Sequence, residues 1–427
     1  MFFTLEDPNA KIHGSRDPLG VQPVWSGFGR KVVTNLTTVT NSIRGFTVLI
    51  VSRLLTEEMI AKGISGEQDA LSIFLRAEQI SSYARYIGHD VGSDIRGIER
   101  VKRFVADYGP DVPIQDDATG MILSDQKMYG IWGLYTVSGR VSGLIADGPV
   151  GLTDFARDFA DKHYWPSLQP SEHRLFKLLK EGGTLRTRKN DPIFRSISEI
   201  LPEKLTPDEH WFYSETLRDA RHVREYQAAK RQPLFAELLK KHTDLASYTN
   251  RAEVTHLAKA ARKHDEALAK RLDKILRLEA LLAPAEALFD YLQTCGGQTP
   301  AEVANKIRDH WGTFVPNLDE PFDDTLSEIV SISAVGADIG EVMARCDNAL
   351  SVGAYEEAIT ALLDWNKLVM AGRNAAPWVQ MASGKLDVRY RGQARGLPAG
   401  DALLELWRNP YFIDTLKTIA LQLEENS

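Results

Sequence analysis

LSDQKMYGIWGLYTVSGRVSGLIADGPVGLTDFARDFADKHY, residues Leu123 to Tyr164, is the stretch on which the fold reading turns. A helical apolar pattern leads into Ser142-Gly143-Leu144-Ile145. Ala146-Asp147-Gly148-Pro149 and Val150-Gly151-Leu152 follow, and Thr153 heads another amphipathic segment. Asp-Gly between two short apolar runs is a hairpin signal, and a Thr before an apolar-periodic run is an N-cap signal. Helix, short strand, turn, short strand and helix is the order of a winged-helix-like module, placed here at about residues 95–166. A recognition helix would then lie within Asp125 to Val137, and Asp147-Gly148 would tip the wing.

A winged helix that grips DNA unaided needs cations for the phosphates. This stretch carries Lys127, Arg140, Arg157 and Lys162 against Asp125, Asp147, Asp154, Asp158 and Asp161. Its charge and its aromatics, Tyr129, Trp132 and Tyr135, favour docking to a protein, with Arg140 alongside; direct contact with nucleic acid is the alternative use of the same surface.

Working outward, the chain reads as mainly helical. Apolar residues recur at three- and four-residue spacing from Val32 to Leu54, with a break expected near Thr40-Asn41-Ser42. Ahead of them, the first 25 residues read as an irregular arm. Ser65 and Ser93 are placed to cap helices, the second of these stopping at Tyr108-Gly109-Pro110. Thr206-Pro207-Asp208-Glu209 and Thr299-Pro300-Ala301-Glu302 combine an N-cap Thr, Pro at the first helical position and Glu at the third, which is a capping box. Ala252 to Leu292 is dense in helix formers, with breaks expected at His264-Asp265 and Pro284. Trp378 to Tyr390 alternates around Ser383-Gly384 as a hairpin, and Ala402–Trp407 and Tyr411–Leu423 read as closing helices.

With 427 residues, 43% hydrophobic and 26% charged, the chain is a globular protein of two or three domains. The expected division is 1–170, with the winged-helix-like module, then a helical 171–360, then a small α+β piece, 361–427. The longest strongly apolar run, Phe46 to Ser52, is far short of the roughly 20 residues a membrane span needs. There is no secretory leader pattern at the N-terminus, and Cys295 and Cys346 make no disulfide framework. A cytoplasmic location, no membrane association, no cofactor and no metal are the expectations.

The net charge of −7 conceals a division: residues 173–277 hold 23 Lys/Arg and 15 Asp/Glu, and residues 278–360 hold 3 and 15. A basic face for nucleic acid is one reading, and two helical layers attracting each other is the other. Within the basic block, Arg186, Arg188 and Lys189 form a compact cationic loop after Gly182-Gly183. Arg218, Arg221 and Arg224, at three-residue spacing, would extend a phosphate-binding track along one helical face.

Catalytic patterns are sparse. Pro110-Asp111 upstream of Asp125-Gln126-Lys127 matches a loose PD…DxK spacing, in which two acids hold a divalent metal and a lysine helps activate water. That chemistry requires strands presenting the residues side by side, whereas Ser124-Asp125 reads as a helix start. The ten histidines are scattered, without HExxH or a His pair four apart. Ser26 to Lys31 has the glycines of a phosphate loop without its Lys-Ser/Thr ending.

Two patches, DPLGVQPVWSGFGRKVVTNLTTVTNSIRGF (Asp17 to Phe46) and GRNAAPWVQMASGKLDVRY with WRNPYF (Gly372 to Tyr390 and Trp407 to Phe412), resemble a class of uncharacterised bacterial proteins coded beside anti-phage defence and restriction genes. They cover under a quarter of the chain and transfer no catalytic residue. The resemblance implies a context. The expectation is a non-catalytic adaptor in a bacterial assembly acting on DNA, with protein subunits as partners and nucleic acid as a further ligand. A metal-dependent nuclease using Asp111, Asp125 and Lys127, and a purely structural interaction module, are the alternatives.

Overall fold

The computed structural model describes residues 17–90, 92, 94–148, 150–223, 227–318, 320–332, 335–392 and 394–425. The chain is mainly helical, and among the described residues there are two small antiparallel two-stranded sheets. Among the described residues no helix is long and apolar enough to cross a membrane. The chain divides into two compact units, one made of residues 1–32 and 248–411, the other of residues 33–247 and 412–427. Each unit thus spans a sequence division expected at 170 or 360. Ser93 and Arg224, two residues singled out in the sequence, lie outside the described residues.

The unit of residues 33–247 and 412–427 is built around the helix Ile43–Ala61, capped by Ser42, whose Oγ accepts the Gly45 N–H at 3.2 Å. This helix is apolar on nearly every side and is buried continuously from Ile43 to Thr56, as an interior helix must be. Its two buried cations are therefore partnered. Arg44 bonds Glu209 at 2.6 Å, and Arg53 lies 4.2 Å from the Trp132 ring and 5.5 Å from the Phe74 ring. Residues 30–42, read as helical in the sequence, are irregular. Asn35 holds them in place: its amide donates to Ser142 Oγ and to the Thr216 and Leu217 carbonyls at 2.9–3.0 Å, and its carbonyl accepts from Gln232. The first sheet pairs Asp111–Ile114 with Gly183–Arg186, two segments about 70 residues apart that the sequence did not suggest would pair.

In the other unit, Asp17 accepts the Val21 and Gln22 N–H groups at 2.9 Å and starts a helix, Val21–Gly29, where an irregular arm is expected. The long helix Glu266–Leu292 runs unbroken through Pro284, contrary to the expected break. Ala280 to Ala285 are all buried, and packing on every side outweighs the one hydrogen bond Pro forfeits. Charge pairing is internal to this unit. Lys31, Arg271 and Lys274 converge on Glu328 at 2.6–2.9 Å, and Arg277 bonds Asp347 at 2.6 Å. For this part of the basic and acidic blocks, the attraction is between helical layers. The second sheet, Val379–Ala382 with Lys385–Val388, closes through Ser383 and Gly384 with φ of 49° and 75°, the expected two-residue hairpin. Ala402–Trp407 forms only a short 3-10 turn, Asp401–Leu404.

Candidate functional site

The segment Gln126–Val141 is fixed on one side and bare on the other. Asp125 caps the short helix Gln126–Tyr129 by accepting the Met128 N–H at 3.0 Å. Gln126, fully buried, donates to the Leu75 carbonyl and to Glu78, both at 2.9 Å. Gly130 then turns the chain between this helix and the next, Ile131–Val141. A Cβ here would stand 2.4 Å from the Gln126 carbonyl and 2.7–2.8 Å from the Glu78 carboxylate, so only glycine fits.

Helical phase decides what each side chain can do. Ile131, Tyr135, Ser138 and Gly139 face inward. Tyr135 is 2% exposed and sits edge-on to Phe46 at 4.9 Å, its ring against the bare Cα of Gly45. Burial pushes its phenol up to about 12. Tyr135 is therefore core, a correction to its expected place in a docking surface. Trp132 is half-buried over Arg53. Outward stand Met128 (56% exposed), Tyr129 (60%) and Val137 (58%), with Gly133 and Arg140 on the same exposed side. Of the four expected contact residues, Tyr129 and Arg140 are available, and Met128 and Val137 were missed because sequence reading favoured aromatics over helical phase.

Beyond Val141 the expected pair of strands is reduced to one bridge, Ile145 opposite Leu152, before the helix Asp154–His163. The bridge makes both of its hydrogen bonds, Thr153 N–H to the Leu144 carbonyl at 3.2 Å and Ala146 N–H to the Gly151 carbonyl at 3.1 Å, and the outward Leu152 N–H is taken by the Glu57 carboxylate at 2.7 Å. A cavity of about 440 Å³ lies against this turn, lined by Arg140, Ile145, Asp147, Thr153, His222 and Val223. Arg140 faces Asp147 across it at 3.7 Å. Burial holds the His222 imidazole below its ordinary value, and the ring stacks on Phe155 at 3.9 Å.

Arg186, Arg188 and Lys189 are all exposed. Arg186 ends its strand opposite Asp111, with Nε 3.5 Å from the carboxylate. Thr187 is tethered by its N–H and hydroxyl to the Pro110 carbonyl, and the Asp191 N–H closes the loop on the Arg188 carbonyl at 2.8 Å. The loop is thus held at both ends while the Arg188 and Lys189 side chains are unpaired among the described residues. Arg218 and Arg221 behave differently. Both pair with Asp219, and Arg221 also with Glu215 at 3.4 Å. A π turn at Ser214–Arg218 and a left-handed Ala220 interrupt the helix, so the expected cationic track is neutralised locally and is not a helical face.

The nuclease residues do not present a metal site in the expected manner. Asp111 lies on a strand beside Arg186, whereas Asp125 and Lys127 lie at a helix start. Among the described residues, no three His, Cys, Asp or Glu side chains are grouped to hold a metal ion. Compared with protein-family models, with curated proteins and with solved structures, the chain matches none of them.

Proposed function

We propose that the protein is a non-catalytic adaptor of a multi-protein assembly acting on DNA, and that it holds a partner subunit on the outer face of Gln126–Tyr129 and Ile131–Val141. The exposure of Met128, Tyr129 and Val137 on a backbone pinned from behind by Glu78, Gln126 and Tyr135 carries this reading. A rigidly held apolar face left in water is the kind of surface that partner binding uses. The order of helix, bridged turn and helix supports a winged-helix-like reading of the segment, and its acidic balance favours protein over phosphate. The clamped loop with Arg188 and Lys189 is the better contact for nucleic acid. The resemblance of Asp17–Phe46, Gly372–Tyr390 and Trp407–Phe412 to proteins coded beside defence genes suggests an anti-phage setting.

The test is affinity purification of the full chain from its host, wild type beside a Met128→Glu, Tyr129→Glu, Val137→Glu variant shown by circular dichroism to be folded. A partner in stoichiometric amount with the wild type and absent with the variant is the expected result. A wild type that purifies alone, or a variant that keeps the partner, overturns the reading.

A further inference from the structure

Three stretches distant in sequence converge in the unit of residues 1–32 and 248–411: Asp17 to Trp25, Arg373 to Trp378, and Arg395 to Tyr411. Asn366 joins two of them, its Nδ2 donating to the Pro18 carbonyl and its carbonyl accepting the Trp378 N–H, both at 2.8 Å. Trp25 meets Tyr411 edge-on at 6.2 Å. A cavity of about 300 Å³ lies here, with Trp25, Phe289, Glu286, Asp290, Arg395 and Arg408 among its walls.

Most of the charge around this cavity is already spoken for. Asp17 caps the helix Val21–Gly29 and faces Arg373 at 3.9 Å. Asp290 holds Arg408 Nη2 at 2.6 Å. Glu279, fully buried, accepts the Arg408 and Asn409 N–H groups, the Asn409 amide and the Tyr411 hydroxyl, at 2.5–3.1 Å. Two groups remain. Glu286 accepts from Asn409 Nδ2 at 2.9 Å through one oxygen, and its other oxygen has no hydrogen-bond partner among the described residues. Arg395 is exposed; among the described residues its guanidinium has no hydrogen-bond partner, and its charge acts only on Asp290, which Arg408 already holds by a hydrogen bond. One carboxylate oxygen and one guanidinium with hydrogen-bonding capacity left therefore line the same cavity, with the buried rings of Trp25 and Phe289 as an apolar wall.

We propose that this cavity binds a small zwitterion of the free amino-acid type, its ammonium on Glu286, its carboxylate on Arg395 and its side chain against Trp25 and Phe289. An anion alone would face Asp17, Glu286 and Asp290, and a simple amine would leave Arg395 with only the Asp290 carboxylate that Arg408 already bonds. The zwitterion matches both, and a guanidinium–carboxylate pair adds planar, bidentate geometry. Burial, opposed by Arg408 and reinforced by Glu279 and Asp17, pushes Glu286 up to about 8. An arriving ammonium would release that proton and ionise the carboxylate it binds. This site is independent of the docking face proposed above.

The test screens proteinogenic L-amino acids at about 10 mM by thermal shift on the full chain, since a ligand of the native state raises its midpoint. Titration calorimetry follows for each hit and for its N-acetyl and carboxamide derivatives. At least one amino acid is expected to bind, and each derivative to bind at least about tenfold more weakly. Glu286→Gln, which keeps an acceptor for Asn409, and Arg395→Ala should each weaken binding as much while the protein stays folded; the unliganded midpoint should hold for Arg395→Ala and rise for Glu286→Gln near neutral pH, since the Gln need not be neutralised on folding. The proposal is overturned if no free amino acid binds the folded protein, if the blocked derivatives bind as tightly, or if either variant keeps the affinity.

Discussion

Glu78 reaches from the helix Ala70–His89 and accepts the Ile131 N–H at 2.7 Å, so a buried carboxylate caps the helix that carries the exposed apolar face. Burial pushes this carboxyl up to about 7, and the donations from Ile131 and Gln126 together with the charge of Arg96 limit the rise. An acid whose folded value exceeds its unfolded value of 4.5 stabilises the fold below that value, and the contribution is lost as pH rises through 7. Relative to Glu78→Gln, the wild type should lose about 2.5 kcal/mol between pH of about 5 and about 8. Paired thermal melts across that range check it; a constant difference between the two proteins would contradict the assignment.

The Arg44–Glu209 pair, with side chains 6% and 3% exposed, gives a second prediction. Glu209→Gln leaves a buried guanidinium without its counter-charge and should cost roughly 3–5 kcal/mol in urea unfolding. Arg44→Met combined with Glu209→Leu should recover much of that loss, because the same principle makes replacing both partners far cheaper than orphaning one.

Two tyrosines six positions apart separate core from surface. Tyr135→Ala should cost about 3–5 kcal/mol by emptying its place between Phe46 and Gly45. Tyr129→Ala should stay within about 0.5 kcal/mol while weakening capture of the proposed partner. Equal costs for the two would mean that the helical phase is wrong.

The clamped basic loop yields a prediction read in salt. If Arg188 and Lys189 each neutralise one phosphate, Arg188→Ala with Lys189→Ala should lower the slope of log affinity against log salt by about 2 on duplex DNA. The melting temperature should not move, since neither side chain is bonded among the described residues. An unchanged slope would remove nucleic acid from this loop.

Local chemistry was legible in the sequence where both partners of an interaction lie within a few residues. Both capping boxes form, Thr206 with Glu209 and Thr299 with Glu302, and Ser383-Gly384 turns its hairpin. Interactions across long separations were not legible. The strand pair of Asp111–Ile114 with Gly183–Arg186, and the Asn35 contacts that straighten residues read as helix, depend on partners 70 to 200 positions away. The turn after Val141 illustrates the same limit: its composition calls for a hairpin, a single bridge forms, and the outward Leu152 N–H goes to Glu57 from a different helix. The docking surface was half legible, because aromatic content marks a segment as interesting while only its rotational phase says which side chains meet solvent.

The division of the chain also orders its synthesis. Each unit is discontinuous in sequence: residues 33–247 are followed by all of 248–411 before the helix Ile413–Glu424 returns to the unit they began. A ribosome making this chain therefore releases the start of one unit, the body of the second, the rest of the first and the end of the second in turn, and neither unit is contiguous. Vectorial folding gains little here: the first-begun unit waits on residues 248–411, and full closure of the second waits on the emergence of Ile413–Glu424.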